Sequence, residues 1–295
     1  MATPVLTVKN VESVRDFWNA HPCGAQFTKA PFGSSEFFRE YSQFRYHSEW
    51  HLNDLVPFDQ YCGKHVLEIG CGLGADGTQF AQNGALYTGV DLTEAATDAT
   101  RLHFQALGLP GTFKVQNAER MVDFEDEMFD LVYSHGVLHH LPHLDNALSE
   151  IRRVLVTGGG IIIMLYHRHS INYYIRIQSW MRFKVLAYFL ARPVMPKQLH
   201  RGTLELHYQN IRRMGPKYLS STEFPHHCTD GPECPIAYSY TKPEIERLFS
   251  PYFINLRFAV AHLPIHNTIP FFPVKIERFL ASRVGWYLFI YGEKA

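Results

Sequence analysis

The sequence predicts an α/β fold, with a mostly parallel seven-stranded sheet and helices on both faces. Between residues 64 and 166, short β-branched apolar runs alternate with longer amphipathic stretches, the pattern of strand and helix units around a parallel sheet. A glycine-rich turn joins the first run to the first amphipathic stretch. Hydrophobic residues make up 46% of the chain and charged residues 19%, enough to bury a core. We therefore expect 295 residues to form one substantial domain with a large insertion.

The individual elements follow from periodicity. Alternating or continuous apolar runs bounded by turn residues predict strands, and apolar residues at helical spacing predict helices. The predicted strands are 65–69, 86–90, 112–115, 129–134, 160–166, 253–260 and 286–291. The predicted helices are 37–51, 75–83, 94–107, 144–155 and 242–249. Gly158 to Gly160 are expected to break the chain before the fifth strand.

These elements divide the chain into four regions. Residues 1–59 contain aromatic-rich helical stretches and are expected to form an N-terminal helical cap over the opening of the core, which spans 60–166. Residues 167–236 lack the alternation and are rich in tyrosine, histidine, arginine and proline. We interpret them as an inserted substrate lid between strands 5 and 6. Residues 237–295 complete the sheet.

Composition excludes several classes of protein. Lysine plus arginine equals aspartate plus glutamate at 28 each, so no general cationic field favours nucleic acid. Five cysteines are few, odd in number and without a disulfide pattern, which favours a reducing cytoplasm. The N-terminus is charged and no run of 18 apolar residues occurs. We therefore expect a cytoplasmic protein that is neither secreted nor membrane-spanning.

A glycine-rich loop follows the first strand in the segment His65-Val-Leu-Glu-Ile-Gly-Cys-Gly-Leu-Gly74. Gly70, Gly72 and Gly74 allow the backbone to approach a ligand closely, and the following helix offers free N–H groups to an anion. Gly70, Gly72 and Ala75 also satisfy the dinucleotide pattern G-x-G-x-x-A, so an NAD(P)-dependent oxidoreductase is an alternative. Glu68 favours a ligand with an ammonium group, because it would repel a pyrophosphate.

An acidic residue ends the second strand. Asp91, followed by Leu92, comes about twenty residues after the loop, where a carboxylate can accept protons from both hydroxyls of a ribose. The alternative role for Asp91 is capping of the helix that begins near Thr93. The loop and the acid together favour a nucleoside ligand.

Four blocks in order resemble the class I S-adenosylmethionine-dependent methyltransferase superfamily, within its small-molecule group that includes the ubiquinone and menaquinone enzymes. They are VLEIGCGLG, GVDLT, NAE at 117–119 and FDLVYSHGVLHHLPHLDNALSEIRRVLVTGGG. The resemblance implies a Rossmann-like methyltransferase fold and S-adenosyl-L-methionine as cofactor, with S-adenosyl-L-homocysteine as product. It places Asn117, with Ala118 and Glu119, at the adenine, where relatives usually carry an aspartate, and His135 beside the methionine part.

Histidine has the unperturbed pKa of a general base, and an acceptor hydroxyl, acidic carbon or thiol would need one. His139 and His140 follow the fourth strand and are the first candidates, with a structural role as the alternative. The resemblance extends to the reaction but not to the acceptor. Candidates for lining the lid are Tyr46, His47, His167, Tyr173, His207 and His227.

Two further segments have alternative interpretations. His226, His227, Cys228 and Cys234 could coordinate zinc, but their spacing matches no standard metal signature. We therefore predict no metal, and either a glycine-proline turn that presents His227 and Asp230 to the active site or a plain loop. Residues 171–192 combine Ile175, Trp180, Phe183, Leu186 and Leu190 with basic residues. This pattern predicts an amphipathic helix whose apolar face packs on the core or in a dimer, with peripheral membrane contact as the alternative. A monomer and a homodimer are both compatible with the sequence.

The predicted function is transfer of a methyl group from S-adenosylmethionine to a small-molecule acceptor, with oxygen or carbon preferred over nitrogen or sulfur. The alternatives are the oxidoreductase and a non-catalytic cofactor-binding protein.

Overall fold

The computed structural model describes residues 9–22 and 24–295. Eight strands form one sheet within these residues. The strands are β1 His65–Ile69, β2 Leu86–Asp91, β3 Thr112–Val115, β4 Phe129–His135, β5 Leu155–His167, β6 Ser239–Tyr240, β7 Ile254–Ala261 and β8 Tyr287–Glu293. The seven predicted strands are confirmed, with ends within about one residue except for β5 and for β8, which ends two residues later than predicted. The two-residue β6, which pairs with β5, is too short to leave a periodic signal.

The strand order is β3-β2-β1-β4-β5-β8-β7. Pairings from β3 through β5 are parallel, whereas β8 runs antiparallel to β5 and β7. The mostly parallel sheet is therefore confirmed. The prediction that Gly158 to Gly160 break the chain before the fifth strand is wrong, since β5 begins at Leu155 and continues through these glycines. Gly158 has a φ of +77°, and the pairing with β4 shifts register between Phe129 and Leu131.

Ten α-helices are present among the described residues. They are α1 Val11–Ala20, α2 Ser35–Ser48, α3 Leu52–Leu55, α4 Ala75–Gln82, α5 Glu94–Ala106, α6 Leu144–Val154, α7 Arg182–Ala191, α8 Thr203–Met214, α9 Lys242–Phe249 and α10 Val274–Val284. Capping side chains explain where several of these helices begin. Thr93 accepts a hydrogen bond from Ala96 N at the start of α5, and Thr241 with Glu244 forms a capping box on α9.

Helices cover both faces of the sheet. Neighbouring strand residues point to opposite faces, so Leu67 packs with Leu148 and Ile151 of α6 on one side. Val66 packs with Phe80 of α4 and Phe104 of α5 on the other. The parallel strands β1, β2 and β4 end at one common edge, and the loops that follow them meet there.

The insertion at 167–236 is helical and has its own small core. A π-helical segment, Asn172–Met181, continues directly into α7. Tyr173, Ile177 and Val185 are buried against Tyr218 and Phe224. None of the described helices is long and apolar enough to cross a bilayer.

The prediction that the apolar face of the 171–192 helix packs on the core is wrong. The apolar side chains that were expected to pack on the core, Ile175, Trp180, Phe183, Leu186 and Leu190, are exposed. The buried face is formed instead by Tyr173, Ile177, Val185 and Tyr188. The segment is apolar on two sides, so periodicity alone could not identify the buried side.

Candidate active site

A cavity of about 250 Å³ opens at the edge where the parallel strands end. Its walls come from the glycine loop, the ends of β2 and β4, the N-terminal helices and the insertion. One end is lined by Gly72 and Asp91, and the other by His140, Tyr166 and Asp230. A single continuous space therefore joins the predicted cofactor residues to His140.

The three loop glycines have different functions in the structure. Gly70, Gly72 and Gly74 have φ angles of +82°, +54° and +78°, which disfavour residues with a Cβ. A Cβ on Gly70 would lie 2.1 Å from Val137 Cγ2, and one on Gly74 would lie 2.8 Å from Thr100 Cγ2. A Cβ on Gly72 would meet no atom within 4 Å. Gly70 and Gly74 are thus required for packing, while Gly72 leaves backbone open to a ligand.

Asp91 lies at the rim of this open space. Its Oδ1 accepts hydrogen bonds of 3.0 Å from the backbone N and Oγ1 of Thr93, and its Oδ2 accepts one of 3.3 Å from Gly72 N. Burial raises the pKa of Asp91. Each carboxylate oxygen has more than one acceptor site, so Asp91 can support the turn and still accept hydroxyl protons. Leu92 and Ala118 line the cavity beside it.

Glu68 is buried at the inner end of the loop. The Tyr87 hydroxyl donates a hydrogen bond of 2.5 Å to its Oε2. Burial, with the nearby Asp76 carboxylate, raises the pKa of Glu68. A cationic group bound in the cavity would stabilise the ionised form of Glu68, which agrees with the preference for an ammonium inferred from sequence.

A buried ion pair beside the loop was not predicted. Arg45 of α2 donates to both oxygens of Asp76 in α4, from Nε at 2.8 Å and from Nη2 at 2.5 Å. Tyr133 and Tyr46 also donate to Asp76, at 2.7 and 2.9 Å. Burial alone would raise the pKa of Asp76, but Arg45 outweighs it and holds that pKa well below its usual range. The N-terminal cap is therefore fixed to the cofactor loop by charge.

His135 extends this network along the cavity wall. Arg45 Nη2 lies 3.3 Å from His135 Nδ1 and donates to it, which leaves the histidine proton on Nε2, 3.7 Å from Glu49 Oε2. The Tyr287 hydroxyl donates to Glu49 Oε1 at 3.1 Å. Burial lowers the pKa of His135 to about 4. His135 is accordingly neutral at neutral pH and acts as a hydrogen-bonding wall.

His140 has the geometry of a base. Its Nδ1 lies 2.5 Å from the carbonyl oxygen of Ile236 and must carry the proton, because a carbonyl only accepts. Its Nε2 has no hydrogen-bond partner and lies 3.8 Å from Asp230 Oδ2. The Tyr166 hydroxyl donates to Asp230 Oδ1 at 3.1 Å. The free lone pair of Nε2, beside a carboxylate, can accept a proton.

His139 has a different position from its neighbour. It is fully buried and does not line the cavity. Its ring stacks on Tyr166 at 3.7 Å between centroids, and Tyr238 N donates to its backbone oxygen at 2.9 Å. Burial, with His140 beside it, holds the pKa of His139 well below its usual range. The geometry thus supports the catalytic prediction for His140 and a packing role for His139.

The residues predicted for the site fall into two groups, those that line the cavity and those that do not. Those that line the cavity are Glu68, Gly70, Gly72, Gly74, Asp91, Leu92, Asn117, Ala118, His135 and His140. Those that do not are Glu119, His139, Tyr46, His47, His167, Tyr173, His207 and His227. The Asn117 side-chain oxygen accepts from Glu119 N at 2.9 Å, and Glu119 accepts from His143 N at 2.9 Å. Asp230 lines the cavity, whereas His227, suggested with it, does not. Trp18, Arg45 and Glu49, which were not predicted, line it as well.

The two histidines suggested as zinc ligands have separate hydrogen-bond partners. His226 Nδ1 accepts from Ala237 N at 2.9 Å, and His227 Nε2 lies 3.3 Å from Glu223. Two other groups bring three donor atoms within 4.8 Å of one another, namely Glu49 with His51 and His135, and His140 with Asp230 and Cys234. In the first group the His135 Nε2 carries a proton, and in the second the sulfur lies beside the protonated Nδ1 of His140, at 3.9 Å.

Comparison with known proteins agrees with this geometry. Residues 67–163 match the family model described as "Methyltransferase domain". Over 138 residues the chain is 29% identical to a ubiquinone biosynthesis O-methyltransferase of Alkalilimnicola ehrlichii, covering 47% of this chain and 53% of that protein. Over 100 residues it is 35% identical to a sterol 4-C-methyltransferase of Caenorhabditis elegans, covering 34% and 30% respectively. The chain thus spans about half the length, or less, of the curated relatives it matches.

Solved structures share the fold over nearly the whole chain. A chain in the complex of the Haloferax volcanii Trm112 methyltransferase activator with a methyltransferase superposes with a TM-score of 0.55 at 14% identity, covering 95% of this chain and 97% of that one. Magnesium protoporphyrin IX methyltransferase from Synechocystis, with bound S-adenosylhomocysteine, gives 0.53 at 14% identity, covering 97% and 99%. Residues 67–163 are therefore similar to a methyltransferase domain, and the whole chain shares its fold with these methyltransferase structures.

Proposed function

We propose that this protein transfers a methyl group from S-adenosylmethionine to a small-molecule acceptor by in-line displacement. The observation that carries the proposal is the single cavity that connects Gly72, Glu68 and Asp91 with the free Nε2 of His140. Cofactor-binding groups and a base in one enclosed space are what a group transfer requires.

The inner end of the cavity suits the cofactor. Backbone at Gly72 has room for close approach, Asp91 offers acceptor sites to ribose hydroxyls, and Glu68 attracts an ammonium. S-adenosylmethionine supplies an electrophilic methyl carbon on a sulfonium, which leaves as the neutral thioether of S-adenosylhomocysteine. The Glu68 carboxylate would not favour the pyrophosphate that an oxidoreductase cofactor places near this loop.

The outer end suits an acceptor with an acidic O–H or C–H group. The acceptor atom forms its bond to the methyl carbon as the carbon–sulfur bond breaks, and the acceptor proton passes to His140 Nε2. Asp230, 3.8 Å from that nitrogen, stabilises the imidazolium that results. This arrangement favours an acceptor atom that loses a proton, such as oxygen or carbon, over nitrogen, because a neutral amine needs no base before it attacks.

Cofactor binding is tested by the substitution Asp91→Ala. Loss of two hydrogen bonds to a carboxylate, each worth about 1.5 kcal/mol, should weaken S-adenosylhomocysteine binding about hundredfold in calorimetry. The matched control is Asp98→Ala, because Asp98 is an exposed aspartate of α5. Wild-type protein that binds NAD⁺ and not S-adenosylhomocysteine would support the oxidoreductase, and unchanged affinity of the alanine variant would remove Asp91 from the site.

Catalysis is tested by His140→Ala, with the exposed His143→Ala as control. Labelled methyl transfer into a host metabolite extract, with mass spectrometry of the product, gives both the acceptor and the rate. We expect turnover to fall about 10²- to 10⁴-fold, with affinity for S-adenosylhomocysteine unchanged. Full activity of the variant would return His140 to a structural role. Cofactor binding without transfer to any extract component would support a non-catalytic binding protein.

A further inference from the structure

The outer face of the segment Asn172–Ala191 is an exposed apolar surface. Ile175 and Phe183 are each 62% exposed, and Leu190 is 77% exposed. Trp180 and Leu186 are exposed on the same segment, and Val194 follows it. A contiguous apolar surface of this kind on a folded protein marks an interaction site.

Helical geometry separates this surface from the buried one. Within α7, at about 100° per residue, Phe183, Leu186 and Leu190 fall within an arc of about 60°. The buried Ile177 and Tyr188 lie on the opposite side of the same helix. The inner face is therefore already packed in the insertion core, and the outer apolar face takes no part in that core.

The charged residues of the stretch that carries the outer face are all basic. Residues 171–201 contain no aspartate or glutamate, although the whole chain has a formal net charge of zero. The basic residues of this stretch are Arg176, Arg182, Lys184, Arg192, Lys197 and Arg201. Arg192 pairs with Glu205 of α8, whereas Arg176 and Arg182 donate to amide and carbonyl oxygens. The segment therefore carries a local positive field.

We propose that this segment docks on the surface of an anionic lipid bilayer. An apolar face with tryptophan, phenylalanine and leucine, surrounded by lysine and arginine, matches the chemistry of a helix lying in the headgroup region. Anionic lipids attract each nearby cation by about 1 kcal/mol, or roughly fivefold in affinity. A second copy of this chain is a poorer occupant, because a twofold contact would place two acid-free basic segments against each other.

The position of the segment relates docking to the cavity. It follows β5 directly, at the edge of the sheet where the cavity opens. The connection from β7 to β8 lies at the same edge and exposes a second apolar set, including Phe271 at 96%. Docking at this edge would bring a bilayer near the cavity, so an acceptor could pass from lipid without crossing water. This consequence rests on the proposed methyl transfer, whereas docking itself does not.

The proposal is tested by co-sedimentation with phosphatidylcholine vesicles, with and without about one third phosphatidylserine. Wild-type protein should bind the anionic vesicles, and the double variant F183E/L190E should bind at least tenfold more weakly. R176E/K184E should weaken binding comparably and make it less sensitive to salt. The control V122E alters a valine that is 66% exposed elsewhere on the chain and should bind like wild type.

Several outcomes would overturn the proposal. They are absence of binding to anionic vesicles at low salt, binding unaffected by F183E/L190E, and a wild-type dimer that the same variant dissociates in sedimentation velocity. Circular dichroism and urea midpoints identify variants that fail to fold, and for those F183S/L190S replaces the charged pair. Because the vesicle assay needs no methyl transfer, its result is independent of the proposed activity.

Discussion

Mild acid should unfold this protein because five largely buried histidines must be neutral in the folded state. Burial lowers the pKa of His51 to about 2, and of His135, His207, His226 and His262 to about 4, from an ordinary value of 6.5. The unfolded chain therefore binds more protons than the folded chain between pH 6.5 and 4. Stability is fully present above pH 6.5 and is lost as the pH falls through this window.

The magnitude follows from the shifts. Between pH 7 and 5.5, each histidine removes about 1.2 kcal/mol from the free energy of unfolding, or roughly 6 kcal/mol for the five. Half of that loss would still be a large fraction of the free energy of unfolding of a folded domain, which is roughly 5–15 kcal/mol. The ion pair of Arg45 with Asp76 does not contribute here, because the pKa of Asp76 is held below its usual range and its stabilisation is lost only below about pH 4.

Urea denaturation followed by circular dichroism at pH 7.5, 6.5, 5.5 and 4.5 measures this dependence. His51→Phe keeps an aromatic ring against Tyr287 and Phe289 and should reduce the slope by about 1.4 kcal/mol per pH unit. The control His65→Gln replaces an exposed histidine and should leave the slope unchanged. A free energy of unfolding that stays flat from pH 7 to 5 would refute the reasoning.

Two further predictions concern the cofactor loop. Gly70→Ala should lower the free energy of unfolding by about 3 kcal/mol, because of backbone strain and the contact with Val137. Gly72→Ala should lower the free energy of unfolding by only about 1 kcal/mol but weaken S-adenosylhomocysteine binding at least tenfold. Equal stability of the two variants would contradict this prediction. Arg45→Met should destabilise by about 3–5 kcal/mol, because it leaves the Asp76 carboxylate buried without its cation. The control for Arg45→Met is Arg39→Met on the same helix, whose pairing with Glu36 is exposed, and urea midpoints that fall equally for both would refute it.

Local sequence patterns predicted the core well. The strands from His65 to Ser134 and the helices at 75–83, 94–107 and 144–155 depend on neighbours within one or two turns, so periodicity located them. The glycine loop and Asp91 were found because backbone conformation and a strand end determine their positions. The failures in the sheet, the short β6 and the early start of β5, depend on pairing with other strands rather than on local propensity.

The outer half of the cavity could not be predicted for a related reason. Arg45 and Asp76 are 31 residues apart, and His140 and Asp230 are 90 residues apart. Nothing in the local pattern of either residue indicates its partner, since each pair meets only after the sheet has brought separate loops to one edge. The lid candidates chosen by residue type, such as His207 and Tyr173, instead satisfy hydrogen bonds inside the insertion, with Tyr218 and Ser221.

The two unpredicted pairs have one consequence in common. Arg45 connects the N-terminal helices to the helix that follows the glycine loop, and Asp230 connects the insertion to the histidine that follows β4. The N-terminal segment is therefore joined to the helix after the glycine loop by an ion pair, and the insertion places the Asp230 carboxylate 3.8 Å from His140 Nε2. Since the family match ends at residue 163 and begins at 67, these joined segments lie outside it, and they form the acceptor end of the cavity. Under the proposed function, the cap and the insertion would determine which acceptor fits, which is why the motifs of residues 67–163 indicate the reaction and not the molecule that receives the methyl group.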